Sequence, residues 1–98
     1  MVKHIVAWRV KDAPGSKLAN TQEIKRLLEG MRGKIPGMLK VEVGLNYLDD
    51  PMASDCVLYS EFADRAALVS YQTHPVHEAV KLVIRELTTE RRVVDYDC

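Results

Sequence analysis

The sequence predicts an α+β fold: a four-stranded sheet with one intact helix and one broken helix. Three observations carry the prediction. The segment His4 to Val10 is apolar on both of its alternating faces, Met38 to Leu45 is apolar on one face only, and the run Tyr71-Gln72-Thr73-His74-Pro75-Val76-His77 interrupts a helical pattern with a His-Pro step. The order strand, helix, strand, strand, broken helix, strand is the split βαβ, ferredoxin-like arrangement, β-α-β-β-α-β.

Each element has a local cause. In the first strand His4, Val6, Trp8 and Val10 share one face and Ile5 and Ala7 the other, so cover is needed on both sides. The turn residues Asp12-Ala13-Pro14-Gly15 follow, and Ser16 can cap a helix in which Leu18, Ile24, Leu27, Leu28 and Met31 recur at helical spacing. Gly30 and Gly33 mark its end, and Ile35-Pro36-Gly37 turns the chain into the second strand. There Leu39, Val41, Val43 and Leu45 alternate with Lys40 and Glu42, as in an edge strand.

The stretch from Asn46 to Ser54, with Asp49-Asp50-Pro51, reads as a loop. Asp55 to Phe62 is the third strand, with Cys56, Leu58 and Phe62 opposite Val57 and Tyr59. Asp64 caps a short helix through Ala67, Leu68 and Tyr71; His74 closes it, and Pro75 opens the next helix, because proline suits a first helical turn and disfavours helix at the residue before it. The second helix carries Val76, Ala79, Val80, Val83 and Leu87 on one stripe, with His77 on the margin beside Ile84. Thr89 to Tyr96 is the last strand. In this topology the first and third strands are central, in agreement with their two apolar faces. Helices cover one face only, so a second copy of the chain is expected to cover the other, with Val6, Trp8 and Leu58 on it.

Length and composition narrow the function. Ninety-eight residues, 1–98, are expected to form a single domain. Fourteen basic and fourteen acidic side chains cancel and are interspersed, so no basic stripe suits nucleic acid. No apolar run approaches the roughly 20 residues of a membrane span, and Met1 to Val10 lacks the form of a signal peptide, so no membrane association and a cytoplasmic location are expected. Cys56 and Cys98 form neither a CxxC pair nor a disulfide framework; Cys56, mid-strand, reads as a small core residue.

Any chemistry is expected at the helix break. His74 and His77 are two of only three histidines, and Tyr71 stands one helical turn before the break. Imidazole changes charge near neutral pH and a phenol both donates and accepts hydrogen bonds, so the two can move a proton on a bound organic molecule. The competing interpretation is a helix junction whose polar groups satisfy one another. A metal site built from His74, His77 and Asp95 is disfavoured because Pro75 sets His74 outside the helix, and no metal is expected. The charged face of Glu78, Lys81 and Arg85 reads as a solvated helix surface.

Met1-Val2-Lys3-His4-Ile5-Val6, Lys34-Ile35-Pro36-Gly37, Ser60-Glu61-Phe62, the segment from Tyr71 to His77, and Val94-Asp95-Tyr96 occur in an order and spacing that resemble the stress-responsive dimeric A/B-barrel (Dabb) family. The resemblance covers nearly the whole chain. It implies a homodimer, a dimeric α/β barrel enclosing a cavity. Similarity to the family's cofactor-free polyketide cyclase branch implies that His77 is a general base, that Tyr71 hydrogen-bonds a substrate carbonyl, and that His4 lines the cavity. Two positions depart from that branch: Cys56 stands where it has a second cavity histidine, and Trp8 where it has an aliphatic residue. On this basis no cofactor is expected, and the ligand is a small apolar carbonyl or phenolic compound. His4, Val6, Trp8, Cys56, Leu58 and His74 are the candidate binding residues. The haem-degrading monooxygenases among related barrels are a poor match, since the single tryptophan, Trp8, lies on the first strand. Binding without turnover uses the same cavity, and a purely structural barrel interior is the third alternative.

Overall fold

A computed structural model describes all residues from Met1 to Cys98. Its elements are β1 (Val2–Val10), α1 (Lys17–Glu29), β2 (Met38–Leu45), β3 (Cys56–Phe62), α2 (Arg65–Gln72), α3 (Pro75–Leu87) and β4 (Thr88–Asp97). The strands form one antiparallel sheet in the order β2-β3-β1-β4, with β1 and β3 at its centre and β2 at an edge. This is the ferredoxin-like α+β arrangement.

Helix ends follow local chemistry. Ser16 Oγ accepts a hydrogen bond from the Ala19 amide at 3.0 Å, and Asp64 Oδ1 accepts one from Ala67 at 2.8 Å, each satisfying an amide that an N-terminal turn leaves open. The break differs by one step from the sequence expectation. Thr73 terminates α2, whereas His74 is the N-cap of α3, its Nδ1 accepting from the Val76 amide at 3.1 Å. His74 therefore opens the second helix and does not close the first.

The larger correction concerns the sheet faces. Val6 pairs with Leu58 and Trp8 with Cys56, so these side chains share one face, and that face lies under the helices. Val6, Trp8 and Leu58 are buried within the single chain, packed in one cluster with Ile24, Leu28 and Phe62. The uncovered face is the other one. On it Ile5 stands between Tyr59 and Val94, and Ala7 stands opposite Val57. Both faces of β1 read as apolar, and strand periodicity alone does not say which of two apolar faces takes the helices.

The stripe of α3 is also rotated from the sequence estimate. His77, Val80, Ile84 and Leu87 are buried, whereas Ala79 and Val83 are exposed. The rotation brings His77 into the packed face, at the edge next to Ile84. Leu18 is exposed at the start of α1, and Asn20 is buried instead, its amide donating to the carbonyls of Lys11 and Ala13 at 2.9 and 3.1 Å.

Candidate functional site: a cleft between the sheet and the broken helix

A cleft of about 500 Å³ opens between the helix-facing side of the sheet and α3, within the range of small-molecule sites. Buried Val6, Trp8, Leu28, Leu58 and Ile84 give it an apolar floor. His4, Tyr71 and His77 bring polar groups to its wall. Six of the eight side chains singled out from sequence thus meet in one place. Cys56 and His74 do not line the cleft. Cys56 lies at the far end of β3 beside a shallow groove with Leu45, Tyr47 and Leu48, and burial, with the charge of Asp55 adding to it, pushes its thiol up to about 11.

The helix break aims Tyr71 and His77 at each other. Six residues apart on one continuous helix, they would project about 120° apart around its axis. Restarting the helix at Pro75 instead stacks the rings, with centroids 3.9 Å apart and planes at 24°. Phe62 and His4 pack against the tyrosine from the sheet, at 4.9 and 5.9 Å between centroids. Tyr71 is 1% exposed, yet its hydroxyl is not sealed off without a partner and belongs to the cleft wall. Burial raises the pKa of this phenol strongly, with Arg91 opposing, so the hydroxyl keeps its proton at neutral pH.

His77 Nδ1 lies 3.1 Å from the backbone oxygen of Tyr71. A carbonyl only accepts, so Nδ1 carries the proton in the neutral ring and Nε2 keeps its lone pair. Burial, helped by the nearby Lys81 ammonium, lowers the His77 pKa to about 4 against the opposing hydrogen bonds to backbone, so the ring is neutral at pH 7. The pair therefore presents a base of low proton affinity beside a hydrogen-bond donor.

His4 is held separately. Its Nδ1 contacts the Asp95 carboxylate directly across the β1–β4 ladder, and its backbone oxygen accepts from Ser60 Oγ at 2.8 Å. That pairing orients the ring and spans 91 residues of sequence.

Sequence reasoning missed the rim. Lys81, Arg85, Glu90 and Arg91 border the cleft with Thr88 and Thr89. In the sequence Lys81 and Arg85 look like a solvated helix face, and no local motif marks Arg91. Its parity with Val93 and Asp95 on β4 was the available signal, because β4 residues opposite Val6 and His4 belong to the helix side of the sheet. No three His, Cys, Asp or Glu side chains converge as metal ligands do. No helix is long and apolar enough to cross a membrane.

Fold and cleft together define a ferredoxin-like protein with an intramolecular cleft of small-molecule size under the broken helix α2–α3. Residues 2–98 match the stress-responsive A/B barrel domain (Dabb), and the chain belongs to that family. An uncharacterized protein of Streptomyces coelicolor is 28% identical over 89 residues, covering 91% of this chain and 92% of the relative. A dimeric protein of unknown function and ferredoxin-like fold from Bacteroides fragilis is 33% identical, with a TM-score of 0.84 over 99% of this chain and 95% of that one. The hydroxynitrile lyase of Passiflora edulis has the same fold, with a TM-score of 0.82 at 18% identity over 97% of this chain and 90% of its own.

Proposed function

We propose that this protein binds a small carbonyl compound with an apolar body in the cleft and performs acid–base chemistry on it without a cofactor. In this account His77 Nε2 removes a proton next to the carbonyl, and the Tyr71 hydroxyl donates a hydrogen bond to the enolate oxygen that develops. The observation that carries the proposal is the Tyr71–His77 stack on the cleft wall, with Nδ1 anchored so that Nε2 is the basic nitrogen. Support for a cyclase-like reaction comes from the resemblance of the segment Tyr71 to His77 to the polyketide cyclase branch.

One observation favours a second reading, binding without turnover. General bases work best with a pKa near the working pH, and a His77 pKa of about 4 weakens it as a proton acceptor. Since burial lowers the basicity of the ring, turnover would require the negative charge developing on the bound ligand to raise it in the complex.

Both readings are tested by calorimetric titration and product analysis with aryl β-keto compounds. Tyr71→Phe and His77→Ala should weaken binding, and His77→Ala should cut turnover by about 10²- to 10⁴-fold, the usual contribution of a positioned acid or base. Variants that bind as tightly as wild type would reduce the pair to a structural junction. Binding without conversion from about pH 5 to about pH 8, where the His77 ring is neutral and able to accept a proton, selects the binding module.

We propose further that the protein is a homodimer joined through the open sheet face. The dimeric Bacteroides fragilis relative supports this, as do the exposed Val57 and Val94 on that face.

A further inference from the structure

We propose that the ligand of the cleft is an anion, a small carboxylate with an apolar or aromatic body, whose charged end is held at the mouth by Arg85 and Arg91. The inference rests on the small-molecule reading of the cleft and adds the charge and orientation of its occupant. Arg85 comes from the last turn of α3, and Arg91 stands opposite Trp8 on β4, which places it on the helix side of the sheet. Both border the cleft, and both are exposed, in contrast to the buried apolar floor.

The charges at the mouth do not cancel. Glu90 is the one acidic residue of the cleft lining, and its carboxylate is held 3.1 Å from Arg9, which it faces across the β1–β4 ladder. The Lys81 ammonium is engaged by Glu78 at 3.0 Å. Neither Arg85 nor Arg91 has a carboxylate partner within the chain, so two guanidiniums are left facing the entrance of a site in a protein with zero formal net charge. A guanidinium fits a carboxylate through two parallel hydrogen bonds, and positive rim charge draws anions toward an apolar interior. A ligand so placed lies with its charge at the rim and its body on Trp8, Leu58 and Ile84, and passes Tyr71 and His77 on the way in.

The test is calorimetric titration of the full chain with 4-phenylbutanoate, its neutral amide, and a phenylpropyl phosphonate. Wild type should bind the carboxylate about tenfold tighter than the amide, the increment expected of charge-assisted hydrogen bonds, and the preference should shrink at high salt. Arg91→Gln and Arg85→Gln, both on the surface and harmless to folding, should bring carboxylate and amide within about twofold, while Arg91→Glu should reverse the order. Tyr71→Phe should weaken every ligand and leave the carboxylate preference intact. An amide that binds wild type as well as the carboxylate, with binding still sensitive to Tyr71→Phe, overturns the anion proposal and leaves the cleft in place. Absence of binding by all three ligands overturns the cleft reading and this proposal together. A phosphonate bound more than tenfold tighter than the carboxylate overturns the choice of a carboxylate.

Discussion

At the scale of single residues, His77 is the side chain whose surroundings say most. Its folded-state pKa of about 4 lies below the ordinary 6.5, so the unfolded chain takes up a proton more readily than the native one. Stability is then greatest above pH 6.5, falls as the pH drops, and levels off below about 4, where the native ring is protonated as well. The total loss should be on the order of 2 kcal/mol, less than the full shift implies because the cleft lets water reach the ring. Carboxylates held low by cation partners, such as Glu29 beside Lys25, contribute to acid unfolding mainly below the His77 window. Denaturant titrations between about pH 7 and 5 should therefore show a slope in wild type that His77→Phe removes. An equal slope in both proteins would mean that His77 is not buried as described. The type and rough position of His77 were legible in the sequence, since a His-Pro-x-His break marks itself. Its pairing with the Tyr71 carbonyl was not, because that contact depends on how the restarted helix is rotated. The His4–Asp95 contact was hidden for a related reason: only strand register brings residues so distant in sequence together.

At the scale of elements, the turn before β2 fixes how closely α2 approaches the sheet. Gly37 has a φ of 80°, and a Cβ placed there would come within 2.6 Å of the Ala67 Cβ on α2. Gly33 has a similar φ of 78° with nothing within 4 Å of such a Cβ. Gly37→Ala combines backbone strain with a collision and should cost roughly 2–4 kcal/mol, whereas Gly33→Ala has the strain alone and should cost about 1 kcal/mol. Thermal or urea denaturation of the two variants measures the difference; equal losses would remove the close approach of α2. The sequence showed these elements well, including both caps and the edge character of β2, because each is written in a few neighbouring residues. It did not show which apolar face of β1 met the helices, nor that α3 packs through His77, Val80 and Ile84 in place of Ala79 and Val83. Both are choices between two apolar surfaces, and the packing of the whole decides them.

At the scale of the molecule, the open sheet face and the cleft lie on opposite sides of one sheet, so the proposed association and the proposed ligand binding can be tested separately. Charge introduced at Val57, on the open face, should give a folded monomer by light scattering, while the same charge at Leu58, one residue on, should abolish folding because it buries an unpaired ion in the core. A Val57→Glu protein that stays dimeric would place the interface elsewhere. The arginine rim was illegible because exposed charges on a helix face and an edge strand look solvated until a cavity is found between them. The central claim, that a neutral His77 and a protonated Tyr71 form the working wall of a ligand cleft, is tested most directly by nitrogen NMR of the His77 imidazole across pH, with and without 4-phenylbutanoate. The account predicts a neutral ring protonated on Nδ1 at pH 7, titration near pH 4, and a shift of the Nε2 resonance when the ligand is added. A ring that titrates near its ordinary 6.5 and ignores the ligand would contradict it.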